Sequence, residues 1–122
     1  MIGYVTLGTN DMEKSAQFYD ALLAELGASR FMEMDTFIAW AVNPQAPALS
    51  ITKPFDGQAA TVGNGIMVAL NAENKEQVDK VYAKALELGG TCEGPTGLRG
   101  DNFYAGYFRD LDGNKLNVFC MS

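Results

Sequence analysis

The sequence predicts an α+β fold in which one βαβββ module occurs twice in tandem. In each half of the chain a short apolar strand leads into an amphipathic helix, and three short segments of strand-like composition follow that helix. The halves also resemble each other directly, because "IGYVTL" at 2–7 matches "GIMVAL" at 65–70, and "ELG" at 25–27 matches "ELG" at 87–89. We therefore predict a single domain over residues 1–122, built from a repeated unit.

The first module is predicted to cover about residues 1–53. Its helix is expected over 11–26, because apolar side chains recur there at intervals of three and four residues. Asn10 and Glu13 have the spacing of a capping box, and Gly27 is suited to end the helix. The β-rich segments of this module are 2–7, 30–34, 37–42 and 48–53.

The second module is predicted to cover about residues 65–122, after a connector at about 54–64 that is rich in turn formers and lacks an apolar period. Asn74 and Gln77 repeat the helix cap, and the glycine pair at 89–90 ends the second helix. An Asp-Gly pair between the last two strands is typical of a hairpin turn. The β-rich segments are 65–70, 91–93, 103–109 and 115–120.

Composition excludes several classes of partner. The chain has 15 acidic and 9 basic side chains and a formal charge of -6, with the basic residues scattered, so a nucleic acid partner is not expected. No segment approaches the roughly 20 apolar residues of a membrane span, and no signal-peptide pattern opens the chain. We expect no membrane partner and a cytoplasmic location. Cys92 and Cys120 form neither a CxxC pair nor a disulfide framework.

Alternation along the strands predicts two different faces of the sheet. One face is apolar and suits packing under the helices; its members are Val5, Leu7, Leu49, Ile51, Val68, Leu70, Leu116, Val118 and Cys120. The other face is mixed in polarity and carries Tyr4, Ser50, Met67 and Asn117. Such a face is either solvated or lines a ligand cavity, and the residues alone leave both interpretations open.

Three stretches in this order resemble the glyoxalase, bleomycin-resistance and extradiol dioxygenase superfamily, the vicinal oxygen chelate proteins. They are "YVTLGTNDMEKSAQFYDALLAELG", "TKPFDGQAATVGNGIMVAL" and "FYAGYFRDLDGNKLNVFCM", and the resemblance covers essentially the whole chain. It implies an open, U-shaped, eight-stranded mixed sheet around a pocket, with the helices on the outer face. It also implies a homodimer as the common assembly.

Metal-dependent members of that superfamily hold one divalent ion with histidine and glutamate side chains on the strands. The resemblance maps those four positions onto Tyr4, Ser50, Met67 and Asn117, none of which is a histidine or a carboxylate. The chain contains no histidine at all. Because phenol, hydroxyl, thioether and amide groups suit no single ion together, we expect no metal ligands and no cofactor.

Further pocket candidates are Trp40, Tyr104, Tyr107 and Arg109. The sequence does not fix their faces: either Tyr107 with Arg109, or Tyr104 with Phe108, shares the face of Asn117. The Asn117 amide needs a partner, which could be a side chain across the sheet such as Tyr4 or Ser50, water or a ligand.

The glycine-rich loop at 93–103 carries Arg99. This loop is either a solvated connector or a segment at the pocket mouth, where Arg99 would meet an anionic ligand.

These features predict a metal-free protein that binds or sequesters a small, partly aromatic molecule. The alternative is a metal-dependent lyase, isomerase or dioxygenase with atypical ligands, and an enzyme of this kind would be similar to lactoylglutathione lyases or dioxygenases. A third hypothesis is metal-free acid–base chemistry with Tyr4, Glu33 or Asp35. No residue is singled out as catalytic by the sequence.

Overall fold

The computed structural model describes residues 1–121. Helix α1 spans Met12–Ala24 and helix α2 spans Lys75–Glu87. The strands are β1 (Tyr4–Gly8), β2 (Ser29–Met34), β3 (Phe37–Ala41), β4 (Ala48–Thr52), β5 (Val68–Asn71), β6 (Thr91–Leu98), β7 (Phe103–Arg109) and β8 (Lys115–Met121). Within these residues no helix has the length and apolar character of a membrane span.

The strands form two four-stranded mixed sheets with the same connectivity. The first sheet has the order β1-β4-β3-β2 and the second has the order β5-β8-β7-β6. In each sheet the first strand pairs in parallel with the last strand of its module, and the remaining pairs are antiparallel. The predicted α+β fold of two βαβββ modules is therefore confirmed. Strands β1 and β5 are terminal strands of their sheets.

The apolar face predicted from alternation is the face on which the core is built. All its members except two are fully buried, and the half-buried pair, Val5 and Val68, packs against the same core. One continuous cluster joins this face to both helices and includes side chains of both modules, such as Leu22 of α1 and Val81 of α2. At roughly 25 cal/mol per Å² of apolar surface, this burial is the main source of stability.

Both helices begin at side-chain caps, but the first cap differs from the prediction. The carboxylate of Asp11, not Asn10, accepts the hydrogen bond from the Lys14 backbone N–H at 3.1 Å. Asn10 instead binds the connector, with its amide accepting from Ala60 N at 2.7 Å and donating to Ala60 O at 3.1 Å. The cap predicted at the start of α2 is confirmed, since Asn74 accepts from the backbone N–H of Gln77 at 2.8 Å.

Two strand boundaries in the second module also differ from the prediction. Strand β5 begins at Val68, so Met67 precedes the strand that was expected to contain it. Strand β6 continues to Leu98, well beyond the predicted 91–93, because its backbone pairs with β7 as far as the Leu98–Tyr104 partners. The predicted glycine-rich loop is therefore mostly strand, and the connection to β7 is a short turn that carries Arg99.

A buried carboxylate in the turn between β7 and β8 ties the two modules together. Asp110 accepts a hydrogen bond from the Tyr19 hydroxyl of α1 at 2.6 Å and another from the Asn114 amide at 2.9 Å. That amide also donates to the carbonyl of Gly8 in β1 at 3.0 Å. Burial, followed by the negative charge of Asp110, raises the pKa of the Tyr19 phenol well above its ordinary value.

Candidate functional site

Each sheet has one face that no helix covers, which we call its helix-free face. Residues of the first helix-free face are Tyr4, Thr6, Phe37, Ala39, Ala41, Ala48, Ser50 and Thr52, which the strand register places on one side. Residues of the second are Ala69, Asn71, Phe103, Ala105, Tyr107, Arg109, Lys115, Asn117, Phe119 and Met121. Three of the four mapped positions therefore lie on these two faces.

Ser50 lies at the centre of the first helix-free face. Its register partners are Thr6 on one side and Ala39 on the other, and its side chain is 0% exposed. The Ser50 hydroxyl has no hydrogen-bond partner among the described residues. Buried polar groups in folded proteins are nearly always paired, so an unpaired hydroxyl at this position is unusual and calls for a partner.

Asn117 holds the equivalent place on the second face. It is the third residue of β8, as Ser50 is the third residue of β4, and it is only 2% exposed. Its Oδ1 atom has no partner within residues 1–121. The hydrogen bond from Asn117 to Tyr4 or Ser50, one alternative left by the sequence, is not formed. The repeated fold therefore places one unpaired, buried polar atom in each sheet.

Tyr107 is the register partner of Asn117 and lies between two cations. The Arg99 guanidinium carbon is 5.4 Å from the centroid of the Tyr107 ring, and the Lys115 ammonium is 5.7 Å from it. Arg109 shares this face but is occupied, since it forms an ion pair with Glu93 at 3.0 Å. The register thus decides the open alternative: Tyr107 and Arg109, not Tyr104 and Phe108, share the face of Asn117.

Trp40 and Tyr104 lie on the opposite, helix-covered faces. Trp40 is 1% exposed, and its Nε1–H donates to the Asp20 carboxylate of α1 at 2.9 Å. The Tyr104 hydroxyl donates to the Asp79 carboxylate of α2 at 2.7 Å, which raises the pKa of the phenol. Neither aromatic ring shares a face with Ser50 or Asn117.

A largely apolar groove of about 650 Å³ lies where the two modules meet. It runs along β5 and past the C-terminal end of α1, and Met67 and Trp40 both line it. The remaining lining residues are Ile2, Val5, Leu23, Leu26, Ala28, Ala41, Val42, Ala46, Pro47, Ala48, Leu49, Val68, Ala69, Leu70 and Asn71. Met67, the fourth mapped position, is therefore a groove residue at the edge of the second sheet.

The four residues at the positions that hold the metal ion in metal-dependent members of the superfamily are not a suitable set of ligands. Tyr4, Ser50, Met67 and Asn117 offer a phenol, a hydroxyl, a thioether and an amide, whereas hard or borderline divalent ions prefer carboxylate and imidazole. In the described part of the chain, no group of three or more His, Cys, Asp or Glu side chains is placed to hold a metal. The residues present do not fit the ion.

Sequence reasoning did not select Lys115, Phe37 or Phe119 as site residues, although the structure places all three on the helix-free faces. Phe119 stacks on Phe103 with ring centroids 5.2 Å apart, and Phe37 meets Tyr4 edge to face at 5.9 Å. Lys115 and Phe119 lie two residues before and after Asn117 on the same strand, and this spacing indicates that both share its face.

Comparison with known proteins identifies relatives over the full chain. The model of the Glyoxalase/Bleomycin resistance protein/Dioxygenase superfamily matches residues 1–118. A glyoxalase/bleomycin resistance protein from Albidiferax ferrireducens T118 is 38% identical, with a TM-score of 0.92 and coverage of 100% of this chain and 99% of that chain. Curated proteins give no match.

Two more distant structures share the architecture. Hypothetical protein SA1046 from S. aureus is 25% identical with a TM-score of 0.77, over 98% of this chain and 92% of that chain. TnmS3, an antibiotic binding protein from Streptomyces sp. CB03234, is 19% identical with a TM-score of 0.70, over 100% of this chain and 96% of that chain. The likeness to TnmS3 is one of fold. On the family match and the relative from Albidiferax ferrireducens, the chain belongs to the glyoxalase/bleomycin resistance protein/dioxygenase superfamily.

Proposed function

We propose that the protein binds or sequesters a small, partly aromatic molecule on its helix-free faces, in the cytoplasm and without a metal ion. The observation that carries this proposal is the pair of buried, unpaired polar atoms, Ser50 Oγ and Asn117 Oδ1, at equivalent positions of the two modules. A buried polar atom without a partner costs about 1–3 kcal/mol. A ligand that supplies the missing hydrogen bonds would offset that cost on binding.

The surroundings of these atoms suit an aromatic guest. Tyr4 with Phe37 on one face, and Phe103 with Phe119 on the other, offer ring surfaces next to small or polar side chains. A few polar groups within an apolar lining is the usual composition of a small-molecule site. TnmS3 shows that this fold occurs in a protein described as antibiotic binding. The absence of suitable ligand residues at the four mapped positions favours binding without a metal over metal-dependent turnover.

The first test uses the unpaired hydroxyl. Ser50→Ala is expected to raise the free energy of unfolding by about 1 kcal/mol, because it removes a desolvated group that has no partner. The same change is expected to weaken binding of any aromatic compound that a thermal-shift screen identifies. Urea denaturation measures the first effect and calorimetric titration of the screened compound measures the second.

Thr6→Ala is the matched control, since Thr6 is the exposed register partner of Ser50 and loses a hydroxyl that water already solvates. We expect little change in stability from it. A Ser50→Ala protein that is less stable than the wild type, and binds the screened compound equally well, would contradict the proposal.

We also propose that the working form is a homodimer in which the β1 edge of one copy meets the β5 edge of the other. Each copy carries both terminal strands. A single two-fold axis would therefore pair β1 of each copy with β5 of the other, so that the unpaired backbone groups of both edges form hydrogen bonds. Apolar side chains are exposed beside β5, with Ile66 63% and Met67 40% accessible, and the groove lies along the same strand. Such pairing would join four-stranded sheets into the eight-stranded sheet that the family resemblance implies.

Sedimentation equilibrium tests this assembly. The wild-type protein is expected to be dimeric at micromolar concentration, and Met67→Asp is expected to yield monomers because the carboxylate would be buried without a partner. Leu98→Asp is the control, because Leu98 is also an exposed apolar residue, at 52%, but lies at the end of the opposite edge strand, β6. A monomeric wild type, or equal dissociation by both substitutions, would rule out the proposed edges.

A further inference from the structure

We infer that the ligand of this site is an aromatic acid: a molecule with a negatively charged group, a ring and at least one O–H or N–H donor. This inference rests on the proposed function and specifies its ligand class. It is carried by the charge distribution of the second helix-free face, in a chain whose overall charge is -6.

The Arg99 guanidinium is held in place by the chain itself. Arg99 donates from Nη1 to the carbonyl of Gly97 at 2.9 Å and from Nη2 to that of Pro95 at 2.7 Å. A guanidinium has five N–H donors in a fixed plane, so further donors remain for a ligand. Its position over the Tyr107 ring fixes it from another side. The guanidinium is therefore already ordered before an anion binds, so binding would not cost the side-chain entropy of ordering it.

The two cations beside Tyr107 are also electrically unpaired. Within the structurally described chain, neither Arg99 nor Lys115 has a carboxylate at ion-pair distance, and Asp101, in the same turn as Arg99, forms no ion pair with it. Glu93 neutralises only Arg109. Two uncompensated positive charges thus flank one aromatic ring. The first helix-free face carries no charged side chain, so it neither attracts nor repels an anionic ligand.

The polar atom beside these cations requires a donor. Asn117 Oδ1 is an acceptor without a partner, and its register partner is Tyr107, so it lies next to the cationic pair. A hydroxyl or N–H on the ligand would pair with it, while the acidic group would pair with Arg99 and Lys115. The stacked pair of Phe103 and Phe119 continues the same face and offers a surface for a ring.

Calorimetric titration with a hydroxynaphthoic acid and its uncharged carboxamide tests the inference, because the two compounds share ring and hydroxyl and differ in charge. We expect the acid to bind the wild-type protein at least about ten-fold more tightly than the amide. In the Arg99→Gln, Lys115→Gln double variant this preference should vanish through loss of affinity for the acid alone. Lys115→Arg, which keeps the charge, should retain it.

Lys80→Gln is the control for loss of a positive charge outside the site, since Lys80 is an exposed residue of α2. It should bind both compounds as the wild type does. Equal binding of acid and amide by the wild type would overturn the acidic ligand while leaving small-molecule binding in place. Failure of both compounds to bind would overturn the aromatic acid assignment, and the Ser50→Ala stability measurement would then judge the proposed function separately. Equal losses in the double variant and in Lys80→Gln would also overturn the inference.

Discussion

Asp110→Ala is expected to lower the free energy of unfolding by about 3 kcal/mol, the largest effect we predict for a single substitution. The Asp110 carboxylate is buried and accepts four hydrogen bonds. Its donors are the Tyr19 hydroxyl, the Asn114 amide and the backbone N–H groups of Asp112 and Asn114. The substitution would leave the Tyr19 hydroxyl buried without a partner and would release the turn between β7 and β8.

Chemical denaturation measured by circular dichroism provides the comparison. Asp112→Ala is the matched control, because Asp112 belongs to the same turn, is only half-buried, and accepts only the backbone N–H of Asn10, at 2.9 Å. We expect that control to cost about 1 kcal/mol or less. Equal losses from the two alanine substitutions would show that the buried hydrogen bonds of Asp110 add nothing beyond a single link of the kind that Asp112 makes to Asn10.

Gly90→Ala is expected to destabilise the protein by about 2–3 kcal/mol, because a methyl group at this position meets backbone on two sides. A β-carbon on Gly90 would lie 2.7 Å from the carbonyl oxygen of Arg109 and 2.8 Å from that of Ala85. Neither oxygen can move without displacing β7 or α2. Gly90 also donates its N–H to the Ala85 carbonyl at 2.8 Å, so the same contact closes the end of the helix.

Gly3→Ala is the control for the change in backbone entropy, because a β-carbon on Gly3 meets nothing within 4 Å. It should leave the midpoint of thermal unfolding nearly unchanged. A Gly90→Ala protein that melts with the Gly3→Ala protein would mean that α2 and β7 separate easily, contrary to the tight packing described above.

The fold was predictable because its signals are local. Apolar spacing identified both helices, and two-residue alternation identified the face on which the core is built. The error at the first helix cap has a tertiary cause: Asn10 has suitable capping chemistry, but Ala60, fifty residues away in sequence, provides its partner. Asp11, the next residue, is an equally good cap and takes the role.

Strand β6 was underestimated because its composition is unusual for a strand. Gly94, Pro95 and Gly97 are poor strand formers, and they are tolerated because β6 is an edge strand with register shifts around Gly94. A glycine at position 94 is also favoured for steric reasons. A β-carbon on Gly94 would lie 3.2 Å from Arg99 and 3.4 Å from the Tyr107 ring, the two groups that form the cationic arrangement.

The candidate site was only partly predictable, because register across a hairpin decides which side chains meet. Alternation placed Ser50 and Asn117 on the mixed face, and the structure agrees. The facing of Tyr107 depended on the number of residues in the turn before β8, which an Asp-Gly signal does not fix. Trp40 is a reasonable aromatic candidate on composition, but its ring lies in the core on the helix-covered face, where its N–H donates to Asp20 of α1.

The carboxylate at the β7–β8 turn has a mechanical consequence. Asp110 lies in the turn that leads into β8, the strand that bears Asn117, and the hydrogen bond from Tyr19 joins this turn to α1, so the position of β8 is tied to that of the helix. A ligand of different size would be accommodated elsewhere, at the outermost strand of the first sheet, β2, in which every residue is exposed. Selectivity for shape would then reside at β2, while recognition of charge and of the donor group would stay with the cations beside Tyr107 and with Asn117 on the second sheet.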